Sequence, residues 1–313
     1  MVKIKPAQNK KKYPGALSQS EIERQTKKSW ATRLTTYEEV PPECQKFFEP
    51  LQKAGRNFPY CVVTPTYEGF LNRSREMLVC TFDQKIYFLH KNDIPVNVTC
   101  FDYKDIYHLA FRKVLLESGL QISGTDQEGQ NPTIELRFNT VTDYLFTPII
   151  NEIRQTQFNG KETKDDFDFS ELESVSYKFA NFARHSVLPG ERTLQMVWQP
   201  ELRTGRYQQP IFKFLNKVFT RLVFTNHVTL LTDQELILIR EDEHQVRKEN
   251  YGGIWDFVPL RHIEKISLDS RQDGLVNLFL TLTGGFSLTS LFEPSQKANL
   301  NLMINALKIK KSK

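Results

Sequence analysis

The sequence predicts a mainly β protein made of two antiparallel units, each closed by an amphipathic helix at its C-terminal end. The chain has 313 residues, and a single core rarely keeps growing beyond ~250 to 300 residues, so two cores are expected. The same order of strand-length segments occurs twice, displaced by about 150 to 160 positions. Each set of strand segments is followed by one segment whose apolar residues have helical spacing.

The domain boundaries follow from this repeat. Residues 41–158 are predicted to form the first unit and residues 170–313 the second. Residues 159–169 are polar and charged, which is typical of a linker between domains. Residues 1–40 are predicted to lie outside both units, as a basic disordered arm followed by a short polar helix. Lysines are frequent in this arm and include Lys10, Lys11 and Lys12.

Matching strands can be assigned in the two units. In residues 83–89 and 233–239, an Asp-Gln turn dipeptide precedes an apolar run of strand length. Residues 120–124 and 280–284 alternate apolar and polar side chains and end in glycine, which is the period of a strand with one buried face. A bend is expected between these two strands in each unit.

Helices are predicted at both ends of each unit. Apolar residues recur at intervals of three and four in residues 146–153 and 300–307, which predicts a C-terminal helix with one face on the core. A shorter helix is expected before each set of strands. In the second unit, Ser170 and Glu173 have the spacing of a capping box, which predicts one helix beginning at Ser170.

The second unit contains an inserted segment, residues 204–221, that the first unit lacks. Its cations recur every four positions and its aromatic residues lie on the opposing stripe of a helix: Lys213, Lys217 and Arg221 against Phe212 and Phe219. Such a basic amphipathic helix can lie on an anionic membrane or bind an acidic partner. In the alternative interpretation, the apolar stripe packs on the protein's own sheet and the cations face water.

The order of elements resembles the pleckstrin-homology-like (PH-like) fold, particularly its bacterial versions found singly or in tandem. Residues 85–89 and 103–106 are the segments that carry the resemblance, which covers about residues 60–154 and 188–308. It implies two antiparallel β-sandwich or partly open barrel modules, each closed by a C-terminal helix. Family members usually act as adaptors that bind anionic lipid headgroups, peptides or further copies of themselves, and they carry no chemistry of their own.

Charge and cysteine usage exclude several functions. Nine lysines lie at the two ends of the chain, so the net charge of +5 becomes −4 for the residues between them. A mildly acidic body argues against a nucleic-acid groove, which needs many phosphate-facing cations. The four cysteines are too far apart for a zinc site and are expected to be reduced, buried thiols: Cys44, Cys61, Cys80 and Cys100.

No motif in the sequence points to catalysis. The six histidines have no metal-ligand spacing, and no nucleophile elbow or complete phosphate-binding loop occurs. We therefore expect no catalytic residues, no metal, no cofactor and no small-molecule substrate. An enzyme with a site that has no motif would require a buried pocket with two or more ionisable side chains in contact.

These observations predict a non-enzymatic binding or scaffolding protein. Recognition is expected through strand edges, loops and the groove beside the C-terminal helix, with a protein partner or self-association. The alternative is peripheral docking on anionic membrane through residues 204–221 and the terminal lysines. No segment has the ~18 apolar residues of a membrane-spanning helix and the N-terminal residues lack an apolar signal region, so a cytoplasmic location is expected.

Overall fold

The computed structural model describes residues 28–68, 73–90, 96–156, 165–205, 220–242 and 252–311. Within these residues the structure is mainly β, its sheets are antiparallel, and its described strands form no closed barrel. The predicted mainly β class is therefore confirmed. We refer to residues 28–156 as the first half and to residues 165–311 as the second half.

The first half contains nine described strands and two α-helices. The strands are β1 (Thr32–Leu34), β2 (Tyr60–Val63), β3 (Tyr67–Glu68), β4 (Arg73–Ser74), β5 (Met77–Phe82), β6 (Lys85–His90), β7 (Asn97–Val114), β8 (Glu117–Asp126) and β9 (Thr133–Asn139). The helices are α1 (Gln45–Lys53) and α2 (Thr147–Gln155). Strands β2, β5, β6 and the start of β7 pair in that order, and the end of β7 pairs with β8 and β8 with β9.

Strand β7 bends in its middle, as the sequence predicts. Its pairing with β8 shifts register between Phe101 and Ile106. Gly124 of β8 lies against this bend, and a Cβ atom at Gly124 would be 2.9 Å from Cδ1 of Phe101 and 3.1 Å from the carbonyl oxygen of Asp105. A residue without a side chain is therefore needed where the two backbones approach most closely.

The second half contains nine described strands and three helices. They are α3 (Ser170–Val175), α4 (Tyr177–Ser186), β10 (Thr193–Gln199), β11 (Leu202–Gly205), β12 (Thr220–Phe224), β13 (His227–Thr232), β14 (Glu235–Arg240), β15 (Gly253–Pro259), β16 (Ile263–Ser270), β17 (Val276–Leu282), β18 (Ser287–Phe292) and α5 (Lys297–Lys311). Strands β10, β13, β14 and β15 pair in that order, and β16, β17 and β18 form a separate sheet. This pairing order repeats that of the first half, with a 3₁₀ turn at Leu260–His262 where β7 bends.

Each half buries apolar side chains on both faces of its four-stranded sheet. The inner face packs on the C-terminal helix, as with Phe101 and Ile149 in the first half and Leu236 and Met303 in the second. The helix that precedes each sheet covers the outer face, where Phe48 of α1 packs on Cys61 and Cys80, and α4 contacts β13 and β14. All four cysteines are buried and free.

The helix before the second sheet differs from the prediction. Two helices, α3 and α4, occur where one was expected, because the backbone of Ser176 is extended and its side chain accepts a hydrogen bond from the Phe179 amide at 3.4 Å. Ser170 is not the capping residue, since the carboxylate of Asp168 accepts the Ser170 amide at 2.8 Å. A carboxylate two residues before a helix competes with a hydroxyl for the free amides of the first turn.

Two segments outside the predicted units pack on them. Residues 32–34 were placed in the arm, but they form β1 and pair with β2 at the edge of the sheet. Asp165, in the predicted linker, accepts hydrogen bonds from the amide and the hydroxyl of Thr193 at 3.1 and 2.8 Å, and Phe169 is buried. The described end of the linker is therefore packed on the second half.

The inserted segment begins and ends in strands. Residues 202–205 of β11 pair with residues 220–224 of β12, and Arg221 lies opposite Thr204 in this ladder. The predicted helix is therefore wrong at Arg221, because backbone pairing with β11 holds this residue in an extended conformation. The other predicted contact residues lie outside the described part of the chain: Lys213, Lys217, Phe212, Phe219, Lys10, Lys11 and Lys12. None of the helices described is both long enough and apolar enough to cross a bilayer.

Candidate binding site at the junction of the two halves

The two halves meet edge to edge through the β7–β15 ladder. Residues 109–113 of β7 pair antiparallel with residues 253–257 of β15, so nine strands form one continuous path from β1 to β10. After its bend, β7 has left β6, and the freed edge is available to β15. Gly252 has φ +91°, and a Cβ atom there would lie 1.9 Å from the carbonyl oxygen of Lys113. Only glycine allows this approach.

The ladder has two chemically different faces, since side chains alternate along a strand. Aromatic residues dominate one face, where Trp255 lies directly opposite Phe111. Small and charged residues occupy the other face, where Asp256 lies opposite Ala110. Each face lines a pocket, and we call these the aromatic groove and the polar pocket.

The aromatic groove has a volume of about 640 Å³ and lies between the ladder, α2 and α4. Its aromatic lining residues are Phe111, Phe182, Trp255 and Phe257. The indole ring of Trp255 is 4.8 Å from the ring of Phe182 and 6.1 Å from that of Phe111, measured between centroids. Ile150 of α2 completes the apolar wall, so the groove lies beside the C-terminal helix of the first half.

Basic side chains line part of the aromatic groove. They are Lys113, Arg154 and His185, and none of the described lining residues is Asp or Glu. The ammonium of Lys113 is 2.6 Å from a carboxylate oxygen of Asp143, and the side chain of Lys113 is 47% exposed. His185 is exposed, and its Nδ1 donates to the carbonyl oxygen of Asn181 at 2.8 Å. Lys113 and His185 are therefore accessible to a ligand.

Arg154 is the buried member of this set and joins α2 to the second half. Its Nε donates to Glu235 at 3.0 Å, its Nη2 donates to the carbonyl oxygen of Ser186 at 2.6 Å, and its guanidinium lies 3.9 Å from the centroid of Phe257. Burial and the neighbouring Glu235 raise the pKa of Glu191 to about 8, although Arg154 is 3.8 Å away. At neutral pH the Glu191 carboxyl is therefore mostly protonated.

The polar pocket, on the opposite face, has a volume of about 300 Å³. His108 Nε2 is 3.0 Å from Asp256 Oδ1, and Arg240 is 3.3 Å from Asp256 Oδ2. Burial raises the pKa of the Asp256 carboxyl, but Arg240 and the hydrogen bond from His108 outweigh it, so the pKa lies below its usual value. Asp256 is therefore an anion that accepts a hydrogen bond from Nε2 of His108.

The second ring nitrogen of His108, Nδ1, is buried and has no hydrogen-bond partner among the described residues. The His108 ring stacks on Phe286 at 4.6 Å. At the pocket wall, Arg112 and Arg137 both donate to Oε1 of Glu117, at 2.7 and 3.1 Å. The pocket thus contains ionisable side chains in contact, which is the feature that an enzyme without a motif would require.

Sequence reasoning assigned none of the residues in these two pockets to a site, although it expected recognition in a groove beside the C-terminal helix. Phe111 and Trp255 occur in segments with ordinary strand periodicity, and their rings meet only because strands from different halves pair. The one usable signal is an aromatic residue near one end of each strand, and that signal does not identify the partner strand. Arg221 is the only predicted contact residue within the described part of the chain. It lies in β12 and lines neither pocket.

Across the described ranges, no group of three or more His, Cys, Asp or Glu side chains is placed to hold a metal ion. No family model matches this chain, and no curated protein matches it in sequence.

Proposed function

We propose that the chain is a non-enzymatic binding protein in which two PH-like units share one sheet and hold a small ligand in the aromatic groove. The repeated pairing order of the two halves supports the PH-like assignment, since each half has four strands, a bend, three strands and a C-terminal helix. Ligand sites often occur where two such units meet.

The aromatic groove is the observation that carries this proposal. Its volume of about 640 Å³ lies within the ~300 to 1,000 Å³ of ordinary ligand sites, and aromatic rings from both halves line it together with polar side chains. Its walls are held in place by the β7–β15 ladder and by Arg154, which contacts Glu235 and Ser186. A preformed site loses little conformational entropy when a ligand binds.

A neutral apolar dye tests this function. N-phenyl-1-naphthylamine should bind the wild-type protein with an increase in dye fluorescence, and Phe182→Ala should weaken binding by about tenfold because one groove wall is removed. Phe47→Ala is the matched control, since Phe47 is a half-buried ring on α1, away from the groove. An equal loss in both variants, or no binding by the wild type, would contradict the proposal.

An exposed apolar hairpin tip supports a protein partner or self-association as a further part of this binding role. Leu115 and Leu116 are 58% and 70% exposed, and the carbonyl of Leu116 accepts the Thr140 amide, which places Val141 and Tyr144 nearby. Light scattering tests self-association directly. A mass above 36.6 kDa that falls in Leu116→Ser would support it, and an unchanged monomer would exclude it.

Membrane docking through the inserted segment stays a prediction from the sequence. Its test is co-sedimentation with anionic and neutral vesicles at low and physiological salt. Replacing Lys213, Lys217 and Arg221 by Glu should abolish binding to anionic vesicles if these cations meet the headgroups. Binding that is indifferent to salt and to these replacements would contradict docking by this segment.

The polar pocket favours a second candidate function, hydrolysis. Among the described residues His108 Nδ1 has no hydrogen-bond partner, Asp256 orients the ring, and the pocket lining has no Ser, Thr or Cys, so water would be the attacking group. Turnover of p-nitrophenyl acetate, butyrate and phosphate provides the test. Activity lost in His108→Gln and kept in His185→Gln would favour an enzyme, whereas turnover no faster than in buffer would exclude these reactions.

A further inference from the structure

The charged side chains among the described lining residues of the aromatic groove, Lys113 and Arg154, are of one sign. They line it together with His185 and the four aromatic rings, and none of the described lining residues is Asp or Glu. The acidic partners of the two strong cations, Asp143 and Glu235, lie behind the wall. A ligand in the groove therefore meets donors and cations before it meets any acid.

Lys113 is the cation best placed to contact a ligand. Arg154 is buried and already donates to Glu235 and Ser186, so its hydrogen-bonding capacity is largely used. The ammonium of Lys113 carries three donors, of which the ion pair with Asp143 needs one, and the side chain is about half exposed. A second acceptor can therefore bind Lys113 without breaking its pair with Asp143.

The position of Lys113 relative to the rings defines the shape of a complementary ligand. Lys113 lies two residues from Phe111 on the same face of β7, and Phe111 is paired with Trp255. An apolar body that rests on these two rings places its end near the ammonium. Charged pairs of this kind contribute mainly to the choice between ligands, because a cation at the same place would be repelled.

We propose that the aromatic groove binds an amphipathic anion, whose apolar body packs on Trp255, Phe111 and Phe182 and whose carboxylate pairs with Lys113. This inference rests on the proposed binding function and adds the chemical class of the ligand. The carboxylate gains a charge-assisted hydrogen bond at a partly exposed site, and the apolar body supplies most of the affinity through burial.

Three probes share a ten-carbon chain and differ in the charge of the headgroup: decanoate, decanol and decyltrimethylammonium. Each is used below its critical micelle concentration or its solubility limit. Trp255 lines the groove, so its fluorescence emission should change when a probe binds. The Trp255→Phe variant shows how much of the total change in tryptophan fluorescence comes from Trp255. Decanoate should bind about tenfold more tightly than decanol, and decyltrimethylammonium should bind most weakly.

Lys113→Gln tests the assigned contact. This variant should weaken decanoate binding by about three- to tenfold and leave decanol binding unchanged. Lys53→Gln is the matched control, since Lys53 forms an equally simple ion pair with Glu49 at 2.9 Å on α1, and it should change neither affinity.

The outcomes distinguish this inference from the proposed function. Equal binding of decanoate and decanol, or a loss of both in Lys113→Gln, would overturn the anionic ligand class while the groove remains a binding site. If none of the three probes nor N-phenyl-1-naphthylamine changes Trp255 emission in the wild type, both the ligand class and the binding function are overturned.

Discussion

His108 of the first half donates a hydrogen bond from Nε2 to Oδ1 of Asp256 in the second half at 3.0 Å, and both side chains are only 2% exposed. The pair lies on the polar face of the β7–β15 ladder, where Arg240 also contacts Asp256. His108 from the first half and Arg240 from the second half both hold the buried anion of Asp256. The stability of the junction therefore depends on all three side chains, because a buried charge without partners is costly.

Removal of Asp256 should therefore destabilise the whole protein. Asp256→Ala leaves Arg240 and His108 facing a low-dielectric site without their anion, and the free energy of unfolding should fall by about 3 to 5 kcal/mol. Urea unfolding followed by circular dichroism measures the change. Asp102→Ala is the control, since Asp102 forms a more exposed pair with Lys85 at 3.6 Å, and its loss should cost less than about 1 kcal/mol. Equal losses would contradict the importance of the buried pair.

Glu191 should make the protein less stable as the pH rises. Its pKa is raised to about 8 in the folded state, from an ordinary value of 4.5, so between these limits the folded state binds more protons than the unfolded state. The stability present below pH 4.5 is therefore lost progressively up to about pH 8, with a slope of at most about 1.4 kcal/mol per pH unit. Glu191→Gln should remove this slope. Urea midpoints at pH 5 and pH 8 for both proteins provide the test, and parallel profiles would refute it.

His227 should have the opposite effect at lower pH. Burial lowers its pKa to about 4, so the unfolded state binds the proton first as the pH falls through 6.5. Stability from this residue is present above pH 6.5 and is lost toward pH 4. The ring lies between Phe224 and Phe292, at 4.8 and 4.7 Å, so His227→Phe should be accommodated and should flatten the profile in this window. A wild-type minus variant difference that is constant from pH 4 to 6.5 would contradict the assignment.

Gly252 should be essential for the junction ladder. In Gly252→Ala, the new Cβ atom would overlap the Lys113 carbonyl, and the backbone φ of +91° is unfavourable for alanine. Gly129→Ala is a matched control, since Gly129 has φ +77° and no atom lies within 4 Å of the place that its Cβ would take. Gly129→Ala should cost about 1 kcal/mol, and Gly252→Ala should cost at least about 2 kcal/mol more. Faster hydrogen exchange at residues 109–113 in Gly252→Ala alone would locate the damage.

Much of the fold within each half could be predicted from the sequence. Alternation around Leu120 and Leu280 places one face of each strand in a core, and the spacing of Ile149, Ile150 and Ile153 places α2 on that core. These patterns depend only on residues that are close in the sequence, so they predict the buried face of each strand and helix in either half separately. The repeated order of segments then makes the paired sheets and C-terminal helices of the two halves comparable.

The junction could not be predicted in this way. Alternation fixes which face a side chain occupies, but it does not state which strand lies beside it, so the pairing of Phe111 with Trp255 has no local signal. The same limit applies to Arg221, whose spacing from the preceding lysines fits a helix although pairing with Thr204 makes it part of a strand. A spacing of four between charged residues does not show whether their backbone pairs with a neighbouring strand.

The bend in β7 has a consequence for how the chain can be divided. A first half expressed alone would expose the backbone amides and carbonyls of residues 109–113, next to an aromatic ring, as an open template for any extended chain. In the intact protein, β15 occupies that template before another molecule can. The second half thus covers an edge of the first that would otherwise favour aggregation, and a first half produced without β15 would lack that cover.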